Sequence, residues 1–98
     1  MKSEIKVAET VWLYDNIVPM SIGIFKLNYD FFYDLDYGYH DANEKKFLNS
    51  DGEQFVVLNN NPKFDKTKDF PSYTALSLNE AKEHVEKTLN KTLNWKLY

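Results

Sequence analysis

The sequence predicts an α+β fold, an antiparallel sheet of four to five strands with one C-terminal helix packed on it. Three observations lead there. Apolar and polar residues alternate from Ile5 to Tyr37, the period of a half-buried strand. Asp15-Asn16 and Asp51-Gly52 interrupt apolar runs as hairpin turns do. Ser77-Leu78-Asn79-Glu80 opens a stretch with helical spacing.

The first strand carries the row Ile5, Val7, Val11 and Leu13, broken at Glu9. After a two-residue turn at Asp15-Asn16, the apolar residues Val18, Met20, Ile22 and Ile24 continue on even positions. That hairpin sets Leu13 against Val18 and Val11 against Met20, so both rows share a face. Pro19 cannot donate to a ladder, which places this part at an edge or a strand start. From Phe25 the row moves to odd positions: Phe25, Leu27, Tyr29, Phe31, Tyr33, Leu35 and Tyr37. A change of parity needs one extra residue, as in a β-bulge, and Gly23 is where such a bend is tolerated. Run straight to Tyr37, this strand would reach roughly 40 Å at about 3.3 Å per residue. A domain of this size has a radius of gyration of about 13 Å, so the strand must coil, break or project. A short helix from an Asn28 cap to Gly38 is the rival reading. Three aspartates and many rings make a poor helix, and the strand is preferred.

Asp51-Gly52 between Lys45–Asn49 and Glu53–Leu58 signals a second hairpin, with Leu48 opposite Phe55 and Phe47 opposite Val56. The connection from Asn59 to Ser72 is long, and Phe64 and Phe70 would pin it to the body. Ser77 and Glu80 then form a capping box, each satisfying the other's amide. The helix behind it buries Leu78, Ala81, Val85 and Leu89. Asn90 stops it as a left-handed residue, and Leu93, Trp95 and Leu97 alternate as a last strand.

The 98 residues read as a single α+β domain over 1–98, with 43 % apolar residues to fill one core. Net charge is -3, and every cationic residue is a lysine. Arginine is the usual fork for phosphates and base edges, so its absence argues against direct nucleic-acid reading. With no cysteine there is no disulfide, thiol chemistry or Cys-ligated metal. The opening residues lack a signal-peptide core, and no apolar run reaches membrane-spanning length, so a cytoplasmic protein is expected.

Tyr29 to Asp41 holds six aromatic residues and four aspartates among thirteen, with no lysine. Asp34-x-Asp36 resembles the start of a calcium loop, but the sixth and twelfth positions are Tyr39 and Lys45 rather than Gly and Glu. No metal and no cofactor are expected. His40 beside Asp41 could pair as base and orienting carboxylate, yet no motif places a nucleophile, and a loop histidine is the preferred reading. His84 reads as a flank residue of the helix. Trp12 has the parity opposite to its strand's apolar row, which suits a second layer with the helix over that face. Phe32 stands alone among acidic residues on its face.

These residues point to a small acidic protein-binding module of the inhibitor or immunity type that masks a basic surface, and not to an enzyme. Its contact would comprise Phe32, Tyr33, Asp34, Asp36, Tyr37 and Tyr39, with Asp30 and Asp41 at the rim. Rings would anchor by area and carboxylates would set steering and selectivity. The oligomeric state stays open, a homodimer included. The alternative is a binding protein for a nucleotide derivative or other metabolite. Its pocket would lie between the aromatic tract and the Asn59–Ser72 loop, with Asn59, Asn60, Asn61, Lys63 and Lys66 supplying polar groups.

Overall fold

The chain runs β1 (Glu4–Tyr14), β2 (Val18–Leu27), α1 (Phe31–Leu35), β3 (Gln54–Asn59), β4 (Tyr73–Ala75), α2 (Leu78–Leu89) and β5 (Lys96–Leu97). The structure, a computed structural model, describes residues 2–35, 46–59 and 70–98. The strands form one antiparallel sheet in the order β4-β3-β2-β1-β5. With α2 packed on it this is the expected α+β fold.

The β1–β2 hairpin turns through three residues, not two. Tyr14 pairs with Val18, and Asp15 and Asn16 both adopt positive φ (54° and 59°), a conformation Asp and Asn tolerate better than most residues. The ladder is therefore displaced by one from the expected register, and a one-residue slip exchanges the two faces. Trp12 pairs with Met20, and Leu13 with Pro19. Ala8, Thr10 and Trp12 look toward α2, with Ala8 and Thr10 buried, whereas Ile5, Val11 and Leu13 are exposed. Of the apolar row expected to be core, Val11 and Leu13 thus face outward, whereas Val7, at the bulge, packs against the cluster beneath α2. Small Ala8 and Ala81, both fully buried in one cluster, let helix and sheet approach closely. Trp12 packs on that cluster, as the second-layer reading required.

The bulge falls on β1, between Lys6 and Ala8, and not at Gly23. The change of parity along β2 has another cause. Ile22 and Ile24 belong to a cluster beneath α2, with Val57, Ala75, Ala81 and Val85. Phe25 and Leu27 belong to a second cluster on the opposite face, with Val56, Leu58, Tyr29 and Phe31. Strands β2 and β3 lie inside the sheet and are covered on both sides, so both parities are apolar.

β2 ends at Leu27, and the chain turns back over the second face through α1. The long strand to Tyr37 is corrected here, because Phe31 to Leu35 are helical. Asn28 is not the cap: its Oδ1 accepts from the Ser3 amide at 2.8 Å. Asp30 takes that role, its Oδ1 accepting from the Tyr33 amide at 3.2 Å. Phe31, 2 % exposed, then fills the second cluster, worth roughly 2–3 kcal/mol of burial.

Asp51-Gly52 makes its turn: Gly52 has φ 74°, and Asn49 Oδ1 accepts from the amides of Asp51 and Glu53 at 2.9 and 3.0 Å. The arm before it is not a strand. β4 occupies that flank of β3, with Ala75 opposite Phe55 and Thr74 opposite Val56, where Leu48 and Phe47 were expected. Helix α2 is capped by Ser77, which accepts from the Glu80 amide at 3.1 Å. The Glu80 carboxylate reaches back to the Leu76 amide instead of Ser77. Asn90 closes the helix with φ 55° and ψ 44°.

β5 then pairs with Ala8 and Glu9 of β1. Glu86 ties this return, accepting from the Leu93 amide and the Trp95 indole at 3.0 and 3.1 Å. At the terminus the Tyr98 hydroxyl donates to Glu9, whose other oxygen lies 3.1 Å from Lys6 Nζ. The Tyr98 hydrogen bond first, and Lys6 second, hold the Glu9 carboxyl below its ordinary pKa. The same bond pushes the Tyr98 phenol up.

Candidate functional sites

Of the acidic, aromatic residues, Asp30 is turned inward. It is buried, and its carboxylate is occupied by the protein's own amides. Besides capping α1, Oδ1 accepts from Gln54 Nε2 at 3.3 Å, and Oδ2 accepts from the Phe47 amide at 2.7 Å. Gln54, 1 % exposed, completes the knot, donating to the Phe47 carbonyl at 3.0 Å and accepting from the Phe31 amide at 3.1 Å. Asp30 and Gln54 thus fix α1 and residues 46–48 against β3. Phe32 is on the outer side of α1, 46 % exposed, and meets Phe31 edge-on at 5.1 Å. Tyr33 is half-buried, with Lys46 Nζ 5.0 Å from its ring centroid. Positive charge therefore sits against one of the proposed anchor rings. Asp34 lies in α1. Asp36, Tyr37, Tyr39, His40 and Asp41 fall outside the described residues, as do Asn60, Asn61, Lys63, Phe64 and Lys66. Phe70 does rest on the body, its ring 6.1 Å from that of Phe31.

A different surface stands out at the far end of the β1–β2 hairpin. Val11, Leu13, Tyr14, Ile17 and Val18 are all exposed, Ile17 by 77 %. β5 covers β1 only at Ala8 and Glu9, so Val11 to Tyr14 form an edge with no described strand beside it. Exposed edges and clustered apolar side chains are both unfavourable in a lone soluble domain unless something covers them. The sequence held a signal for this surface. Val11-Trp12-Leu13-Tyr14 is apolar on both faces, Ile17 is the last residue of the turn and Val18 opens β2. A hairpin end that is apolar on both sides cannot bury both against one helix.

A cavity of about 440 Å³ opens between α2 and the sheet. Trp12, Met20, Ile22, Val57, Val85 and Leu89 form its apolar wall, and Ser21, Asn59, Ser72, His84 and Thr88 add polar groups. His84 is fixed by stacking on Tyr73, the ring centroids 3.6 Å apart and the planes 3° from parallel. The pocket expected between the aromatic tract and the Asn59–Ser72 loop falls mostly outside the described residues; the cavity under α2 lies on the opposite face of the sheet from Phe31, and Asn59 lines it. Among the described residues, no three His, Asp or Glu side chains gather as metal ligands. No helix among them is long and apolar enough to cross a membrane.

Fold and surfaces together define an α+β domain with a projecting apolar hairpin end and a cavity under its helix. No protein-family model matches the chain. Comparison with curated proteins and with solved structures likewise finds no match.

Proposed function

We propose that this chain is a protein-binding module whose adhesive surface is the outer end of the β1–β2 hairpin. The observation that carries this reading is the exposure of Val11, Leu13, Tyr14, Ile17 and Val18 beside a strand edge with no described strand on it. The partner is a protein with an apolar cleft, and the net charge of -3 favours one whose surroundings are basic. Masking such a surface is the action of an inhibitor or immunity-type protein. The second reading sets the contact at α1, where Phe32 is exposed, and is favoured by that exposure alone.

Affinity capture from the native host, with the wild type and Ile17→Asp in parallel, tests the first reading. A charge at the centre of a contact costs at least about 2 kcal/mol, or roughly thirtyfold in affinity. A captured protein should therefore disappear with Ile17→Asp while thermal stability is unchanged, since Ile17 packs in neither cluster. Equal capture by both proteins would refute the hairpin as the contact.

A further inference from the structure

We propose that the cavity between α2 and the sheet is a binding site for an uncharged, ring-containing small molecule. Its volume, about 440 Å³, falls within the range of small-ligand pockets, roughly 300–1,000 Å³. Its walls state the chemistry. Trp12 and Met20 offer flat and adaptable apolar contact, and among the described residues no lysine, aspartate or glutamate lines the space. An ionic ligand would find no counter-charge among the described wall residues, Lys91 meeting only the Trp12 ring at 5.6 Å, which favours a neutral ligand over phosphates, sulfonates and carboxylates. Asn59, Thr88 and His84 supply the few hydrogen-bonding groups that orient a neutral molecule. The His84 ring is held by its stack on Tyr73, so that wall needs little ordering when a ligand enters. A shallower recess bounded by Tyr73, Glu80, Glu83 and Lys87 shares His84 and carries charged groups that the described walls of the cavity lack.

The site adjoins the hairpin contact through Trp12, whose ring meets that of Tyr14, and one titration separates the two. N-phenylnaphthylamine, a neutral fluorescent probe, is titrated into the full chain beside anilinonaphthalene sulfonate, the same ring skeleton with a sulfonate. The neutral probe should bind saturably at one site and at least tenfold more tightly than the sulfonate. Thr88→Phe adds bulk at an exposed helix position that lines the cavity and should weaken binding at least tenfold. Met20→Trp serves the same purpose should Thr88→Phe melt lower than the parent. Ile17→Asp should leave binding unchanged. No saturable binding, equal affinity for the two probes, binding that survives the cavity variants, or binding lost with Ile17→Asp would each overturn the proposal.

Discussion

Replacing Asp30 by alanine should destabilise the fold by about 2–4 kcal/mol, because its carboxylate is structural. Four groups meet there: the Tyr33 amide, Gln54 Nε2, the Phe47 amide and the carboxylate itself. Loss of a helix cap costs about 1 kcal/mol. The Phe47 amide, bonded at 2.7 Å in a partly buried place, loses its acceptor, which costs a further ~1–3 kcal/mol. Gln54 Nε2 keeps its bond to the Phe47 carbonyl, so its share is smaller. Urea denaturation followed by circular dichroism reads the result. With a slope of about 1.5 kcal/mol/M, the midpoint should fall by roughly 1.3–2.7 M. Asp30→Asn should show most of this loss, since an amide keeps one acceptor and turns a donor toward Phe47 N–H. A midpoint within ~0.3 M of wild type for both variants would refute the reasoning and return Asp30 to the surface as a contact residue.

Two other expectations concern charge. Asp34→Asn with Asp36→Asn should change the association rate with a captured partner by less than about threefold at physiological salt. α1 follows the opposite end of β2 from Val18, nine residues or about 30 Å along the strand, and the Debye length is only about 8 Å; a tenfold slower rate would move the contact to α1. The β5 clasp should be strongest near neutral pH. Glu9 has a lowered pKa, so its contribution is present above the unfolded carboxylate's pKa and is lost as pH falls through the folded one. Tyr98 has a raised pKa, so its contribution is present below the unfolded phenol's pKa and is lost as pH rises through the folded one. The Tyr98 ring signals in NMR should therefore shift at both ends of the pH range, following Glu9 on the acid side. Acid-side signals that do not move would refute the clasp.

Much of the fold was legible because local chemistry dictated it. The Ser77 cap, the Asn90 stop, the Asp51-Gly52 turn and the short last strand each rest on a few adjacent residues. The errors came from what local pattern cannot carry. A third residue in the first turn moved the ladder by one and exchanged the faces of β1. Burial of β2 on both sides looked like a bulge. Asp30 looked like one more surface carboxylate because its acceptors' partners, Gln54 and Phe47, lie 24 and 17 residues away. Phe32 was legible as an exposed ring, although on a helix instead of a strand. The hairpin end was overlooked because its apolar residues were assigned to the core.

Hydrogen exchange of the chain with and without its captured partner tests the hairpin contact most directly. Protection should concentrate on the amides from Val11 to Val18, at the edge of β1 and around the turn. Protection confined to α1 and residues 46–48, with the hairpin exchanging as in the free protein, would contradict it.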